Sequence, residues 1–314
     1  MSAPVVVQTE HLDPAAAAWL GGRCRLVVCP HDSPDFHAAI KEAEALVLRT
    51  YTRVDAGLLS HGPRLRVVGR AGVGLDNIDV HACRARGVEV VYTPDANTQA
   101  VVEYVVALVC DALRPRITLD RAISTAQWNR LREEIVGTRQ INELTFGILG
   151  LGRVGKGVAR AVSGLGCRVN YHDLLDIAAP LRHGAQPVSV EDLFASADIL
   201  SIHIDGRDSN RGFVGERWLS RMKPDVLLLN TSRGFVVDNL SLAGFMRGHP
   251  QALAMLDVHE PEPFGDDYPL LGLPNVRLYP HLASRTATAM ANMSWVVRDV
   301  WAVLQGQRPQ FPAP

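Results

Sequence analysis

Paired cysteines are missing from this sequence. Its five cysteines (Cys24, Cys29, Cys83, Cys110 and Cys167) are odd in number and scattered, with no C-x-x-C pair. That argues against a disulfide framework or a cysteine-rich zinc site. Neither sign of charge dominates: 32 Lys and Arg stand against 33 Asp and Glu, a formal net charge of −1. Non-specific attraction to nucleic acid or to an anionic membrane is therefore not expected. No uninterrupted apolar run reaches membrane-spanning length, and the most promising stretch, VVEYVVALVCDAL, carries Glu103 and Asp111. The opening MSAPVVVQTEHLDP lacks a basic region followed by a long apolar one, so no secretory signal is read and a cytoplasmic location is expected. The eleven histidines show neither H-E-x-x-H nor H-x-x-E-H spacing, and no metal is expected. Low-complexity linkers and short-period repeats are also missing. What is left, 314 residues with 47% hydrophobic and 21% charged, is an ordinary globular composition with room for one large or two medium domains.

Short β-rich runs alternate with helix-like stretches almost throughout. VVV (5–7), RLVVC (25–29), ALVLRT (45–50), RVVGRAG (66–72) and VEVVYT (88–93) form a first set. LTFGILG (144–150), RVNYHD (168–173), ILSIHI (199–204), VLLLN (226–230), ALAMLDV (252–258) and VRLYP (276–280) form a second. Such alternation marks βαβ units, and two successive doubly wound parallel sheets are the simplest packing. In SPDFHAAIKEAE, Ser33 or Asp35 is the expected helix cap. After Asn97 the apolar residues of TPDANTQAVVEYVVALVCDAL (93–113) recur at helical spacing, which predicts a long helix passing from one domain to the other. TATAMANMSWVVRDVWAVLQG reads as one terminal helix with Trp295, Val296, Val300 and Val303 on or near one face. It would return to the first domain and make the second an insertion. The proline-rich QRPQFPAP after it shows no chemistry.

The strongest local signal lies in TFGILGLGRVGKGVARAVSGLGCRVNYHD. Gly150, Gly152 and Gly155 form G-x-G-x-x-G between a strand and a helix. Gly150 permits the tight turn, Gly152 lets backbone approach a pyrophosphate, and Gly155 lets helix pack on strand. The free N–H groups and dipole of the helix N-terminus then face the phosphates. Asp173 ends the next strand, 18 residues past Gly155, where a carboxylate accepts hydrogen bonds from ribose hydroxyls and repels a 2′-phosphate. NAD is expected rather than NADP.

Three more stretches end strands of the same expected sheet: NTSRG with Arg233, LDVHEPEP with Asp257 and Glu262, and LYPHLASRT with His281. Ligands of open α/β sheets bind beyond the carboxyl ends of the strands, so these residues should face one crevice. Together they suit carbonyl reduction. An arginine fork holds a carboxylate, a histidine exchanges the proton of an alcohol, and a nearby glutamate favours and orients the imidazolium. Taken singly, each has a plainer reading: Arg233 capping a helix or pairing with Asp238, Glu262 solvated in a proline-rich loop, His281 a satisfied core histidine.

The glycine fingerprint, NTSRGFVVD, LDVHEPEP and YPHLASRT follow one another as they do in the D-isomer-specific 2-hydroxyacid dehydrogenases. GRAGVGLDNIDV (69–80) and TPDANTQAVVEYVVAL (93–108) also resemble that family's segments. The resemblance implies an α/β protein of two doubly wound domains. A Rossmann NAD-binding domain (96–286) would be inserted into a flavodoxin-like substrate domain (1–95 and 287–314), and the protein would be a homodimer. It implies Arg233 on the substrate carboxylate and carbonyl, His281 as acid/base, and Glu262 as its partner. Arg153, Val154, His203 and Thr231 would join the glycines and Asp173 around NAD, with Asp257 on the nicotinamide carboxamide. Val73 and Gly74 would grip the carboxylate through backbone N–H groups, with Asn97 also at the substrate. The family often has proline two residues after the residue matching His203, where this chain has Asp205. Tyr279 stands where threonine is common before Pro-His.

For the substrate, LRTYTRV (48–54) resembles the loop of phosphoglycerate dehydrogenases in which an arginine matching Arg49 holds the phosphate. Arg70 and Arg130 fall at similarly basic positions, and a glyoxylate/hydroxypyruvate branch has W-x-x-W where this chain has Trp128 and Leu131. A phosphoglycerate-like acid is expected, without the extra regulatory domain many such enzymes carry, or else hydroxypyruvate or glyoxylate. The plain alternative makes the three arginines surface or interdomain ion-pair residues. Glu262 counts against the related formate dehydrogenases and Val73 against phosphite dehydrogenase, which has lysine there. The carboxyl-terminal-binding corepressors, NAD-responsive binding modules with the same triad, remain as a reading of another class. The segment around Trp128 would be the dimer arm, with Arg130 reaching its own or the partner's site.

Overall fold

The computed structural model describes residues 3–137 and 139–314. The chain divides into two compact units, one built from the chain up to Asn97 together with Ser284–Pro314, the other from Thr98–Ala283. In chain order the first holds β1 (Val5–Gln8), α1 (Pro14–Gly21), β2 (Arg25–Val28), α2 (Phe36–Glu42), β3 (Ala45–Leu48), α3 (Ala56–His61), β4 (Val67–Arg70), α4 (Val80–Ala85) and β5 (Glu89–Tyr92). The second holds α5 (Thr98–Leu113), α6 (Thr125–Glu134), β6 (Thr145–Leu149), α7 (Arg153–Gly164), β7 (Arg168–His172), β8 (Gln186–Pro187), α8 (Val190–Ser196), β9 (Ile199–Ile202), α9 (Glu216–Leu219), β10 (Leu227–Asn230), α10 (Asn239–Gly248), β11 (Leu253–Leu256) and β12 (Val276–Leu278). The chain then returns to the first unit with α11 (Ala287–Ser294) and α12 (Val297–Leu304).

Both sheets are wholly parallel. The first runs β2-β1-β3-β4-β5, the flavodoxin-like order, and the second β12-β11-β10-β9-β6-β7-β8, the Rossmann order with one further strand. The α/β class with two doubly wound sheets is thus as the sequence implied. Central strands are covered on both faces and mostly apolar: β3, β4, β9 and β10 are buried at every position, with Arg70, Ser201 and Asn230 their polar residues. The strand order reverses between β1 and β3 in the first unit and between β6 and β9 in the second. Each reversal opens a crevice beyond the strand ends.

Helix starts follow side-chain chemistry. Asp13, Asp55, Asp79 and Asp238 each accept a first-turn N–H, and Ser124 with Gln127 closes a capping box on α6. At α2 the expected caps do not act: Asp35 makes no side-chain cap bond, and Ser33 accepts the Asp35 N–H instead. The single terminal helix expected from the sequence is two. At the junction Trp295 and Val296 donate to Asn292 and Met293, three residues back, a tight turn in place of α-helical bonding. Trp295 packs edge-on against Trp19. No proline or glycine announces the break.

Candidate active site

The loop between β6 and α7 carries the three glycines. Gly150 has φ +93°, and a Cβ there would stand 2.9 Å from the His203 and Ile204 backbone, so only glycine fits. A Cβ on Gly155 would lie 2.2 Å from the Gly150 carbonyl oxygen. Gly152, the N-cap of α7, instead faces open space, with nothing within 4 Å of a Cβ position. Bare backbone with room in front of it, at a helix N-terminus, is what a pyrophosphate requires. Exposed Arg153 and half-buried Val154 follow. Asp173, just past β7, accepts the Leu151 N–H at 2.6 Å and the Leu175 N–H at 2.9 Å, pinning the glycine loop to the next strand end. Beyond β9, His203 meets Ser201 Oγ through Nε2 at 2.8 Å, and burial pushes its pKa down to about 4, leaving a neutral ring. The loop that follows is tied by Asp205, which binds Arg207.

Past β10, Thr231 Oγ1 is buried with no hydrogen-bond partner among the described residues, an open polar position beside the glycine crevice's neighbouring strand. Arg233 donates to the Ser232 carbonyl at 2.7 Å. Asn230 secures this turn by donating to the Arg233 carbonyl and accepting from Ser232. A Cβ on Gly234 would fall 2.0 Å from the His259 backbone, so the glycine lets the Arg233 turn lie flat against the next one.

Past β11 and β12 the carboxylates and imidazoles come together. His281 Nδ1 lies 2.8 Å from Glu262 Oε2, while Glu262 Oε1 accepts the His259 N–H at 2.7 Å. Burial works against the Glu262 charge, but the bond and charge of His281 with the His259 N–H outweigh it and hold its pKa below the usual value. His281 has φ +55°, a left-handed conformation costing a non-glycine residue about 1–2 kcal/mol. Asp257 secures the backbone just beyond: fully buried, it accepts the Leu282 N–H at 2.7 Å and the Ala283 N–H at 2.8 Å. Burial raises the Asp257 pKa, and burial together with the Asp257 charge raises that of the neighbouring Tyr104.

In the first unit, Arg49 follows β3 at the strand-order reversal. Glu10, past β1, accepts the backbone N–H groups of Arg49, Thr50, Tyr51 and Thr52, and Asn77 donates to the Arg49 and Thr52 carbonyls. The Arg49 side chain reaches Met290 Sδ through Nη2, and its Nη1 is buried without a partner among the described residues. Burial, with the charge of Arg285 nearby, lowers the Arg49 pKa. Arg70 is buried and folds back on the Ala71 carbonyl, over Gly72, ahead of half-buried Val73 and Gly74. Asn97 is half-buried. Arg130 lies on α6, a helix with no buried residue, 3.8 Å from Glu134. Glu262 and His281 thus meet directly, Arg233 and Asp257 hold adjoining strand ends, and Arg49 sits in its own anchored loop. Glu10, Arg285, His259 and Tyr104 escaped the sequence reading. The strand-end position of Glu10, the nearness of Arg285 to His281 in sequence, and the places of His259 in LDVHEPEP and Tyr104 in TPDANTQAVVEYVVAL were the signals that could have marked them.

Residues 106–283 match the model of the D-isomer specific 2-hydroxyacid dehydrogenase, NAD binding domain. The chain belongs to that family. The glycine loop, Asp173 and the open Thr231 hydroxyl fall in its NAD-binding domain and fit that dinucleotide. The chain is 38% identical over 293 residues to D-3-phosphoglycerate dehydrogenase of Mycobacterium tuberculosis, covering 92% of this chain and 54% of that one. It therefore spans about half the length of that relative. It is also 38% identical over 278 residues to glyoxylate reductase of Aeropyrum pernix, covering 86% and 82%. Among solved structures, D-lactate dehydrogenase from Aquifex aeolicus complexed with NAD and lactic acid superposes with a TM-score of 0.83 at 25% identity, over 96% of both chains. Among the described residues no helix is long and apolar enough to cross a membrane, and no group of three or more potential ligands could hold a metal ion.

Proposed function

We propose that the chain is an NAD-dependent oxidoreductase interconverting small 2-keto and 2-hydroxy acids, with His281 as acid/base. The observation that carries this reading is the 2.8 Å contact of His281 Nδ1 with Glu262. With Nδ1 engaged, Nε2 is left to exchange a proton with the substrate oxygen. Ionised Glu262 stabilises the protonated ring and fixes its tautomer. Bound NAD supplies or accepts the hydride at C2. Arg233 binds the carboxylate through its guanidinium fork and stabilises negative charge growing on the carbonyl oxygen. Val73 and Gly74 offer backbone N–H groups to the same carboxylate. Asp257 acts from behind, holding the backbone that presents His281.

The finer reading gives the substrate a second anionic group, held by Arg49 in a loop anchored by Glu10 and Asn77, with one guanidinium nitrogen buried and unpartnered among the described residues; Arg70 and Arg130 are assigned to the same group. A phosphoglycerate-like acid fits, and hydroxypyruvate or glyoxylate is the second reading, favoured by the well-covered Aeropyrum pernix relative. A homodimer through α6 is supported by the half-exposed Trp128 on a helix that buries nothing. Initial rates of NADH oxidation with phosphohydroxypyruvate, hydroxypyruvate, glyoxylate and 2-oxoglutarate test the assignment. His281→Ala is expected to lower turnover about 100-fold or more with NADH binding intact, and near-normal turnover would remove His281 from the mechanism. Arg49→Ala should abolish any preference for the phosphorylated acid. Rates indifferent to Arg49 would leave the second reading. Silence with every acid while NADH binds would favour an NAD-responsive binding module.

A further inference from the structure

His259 lies between Asp257 and Glu262 and is only 6% exposed. Its Nε2 is 2.8 Å from the Tyr279 carbonyl oxygen. A carbonyl only accepts, so this nitrogen carries the proton. The same oxygen also accepts the His281 N–H at 3.0 Å, across the turn that swings the chain into the strained His281 backbone. Both lone pairs of one carbonyl are thus used, one by the ring of His259 and one by the main chain of His281. The backbone N–H of His259 meanwhile holds Glu262 Oε1 at 2.7 Å. One residue grips both sides of the Glu262–His281 pair.

The ring is itself fixed. Its Nδ1 is 3.3 Å from the Tyr268 hydroxyl oxygen, whose one proton lies between Nδ1 and Asn239 Oδ1, 3.2 Å away, and Asn239 Nδ2 donates to the Glu260 carbonyl. Phe264 and Tyr268 meet it edge-on at 4.8 and 5.7 Å. A histidine there solely for packing would not need its Nε2–H aimed at the carbonyl beside His281.

We infer that His259 is a positioning residue for the acid/base pair: its main chain orients Glu262, and its imidazole holds the Tyr279 carbonyl turn that presents His281. This rests on the acid/base role proposed for that pair. His259→Phe keeps the ring volume and aromatic contacts but removes the Nε2–H. His259→Gln restores a donor at similar reach. Turnover of His259→Phe should fall about tenfold to a hundredfold with the KM for NADH little changed, and His259→Gln should recover most of it. If His259→Phe does not fold, His259→Asn, too short to reach Tyr279, carries the same expectation. An activity-independent readout is the downfield proton resonance of His281 Nδ1–H against Glu262, assigned by its loss in Glu262→Gln. It should broaden or vanish in His259→Phe and persist in His259→Gln. Turnover near wild type, or an unchanged resonance, in His259→Phe overturns the inference. If the wild type reduces none of the keto acids, the acid/base reading fails and the resonance alone decides the part played by His259.

Discussion

Glu10 gathers four consecutive backbone N–H groups onto one carboxylate, making the chain its own anion at the reversal of the first sheet. Burial opposes its charge, yet the bonds from Thr50, Thr52 and Arg49 prevail and set its pKa below the ordinary 4.5. A depressed carboxylate pKa contributes stability that is complete above the unfolded value and fades as pH falls through the folded one. The melting-temperature difference between wild type and Glu10→Gln should therefore be steady near neutrality and shrink as pH drops below about 4.5. A difference that grows in acid would contradict this. Nothing near Glu10 in sequence points to Arg49–Thr52, some forty positions on, so the contact was invisible before folding. Glu262 and His281 were legible because their flanking motifs are family segments. His259 was not, because its role lies in which carbonyl its ring meets.

Strands were the most legible elements, since a strand buried on both faces must be apolar at every position, as ALVL (45–48) and LLLN (227–230) nearly are. The exceptions have physical causes. β8 is two residues long, one of them proline, and only its place beside β7 makes it a strand. The tail that showed no chemistry turns out to line the outer edge of β5. Tyr92 donates to the Phe311 carbonyl, Ala313 donates to Val90, and Asp299 accepts the Gln310 and Phe311 N–H groups. An uncovered edge strand is a template for self-association. Removing residues 307–314 should lower the melting temperature by several degrees and raise light scattering on heating. An unchanged melt would show that the tail merely rests there.

Across the whole molecule, strand orders separate the two sheets more sharply than composition does. One sequence period serves both, and only the order of pairing makes one flavodoxin-like and the other Rossmann. That order was readable through resemblance, because parallel pairing leaves no mark on a single strand. The first unit is also discontinuous in sequence. Its core includes Val296, Val297, Val300 and Leu304, and Val300 lies so close to β4 that a Cβ on Gly69 would stand 2.4 Å from it.

During synthesis this reverses the usual N-terminal-first order. The stretch up to Asn97 waits with the face that α1 and α12 share only partly covered until α12 follows, after the entire Thr98–Ala283 unit has been made. Chains stalled before Ala287 should be cut by protease within their first 97 residues while the later unit resists. Of the two units, the one begun first is the last to be finished.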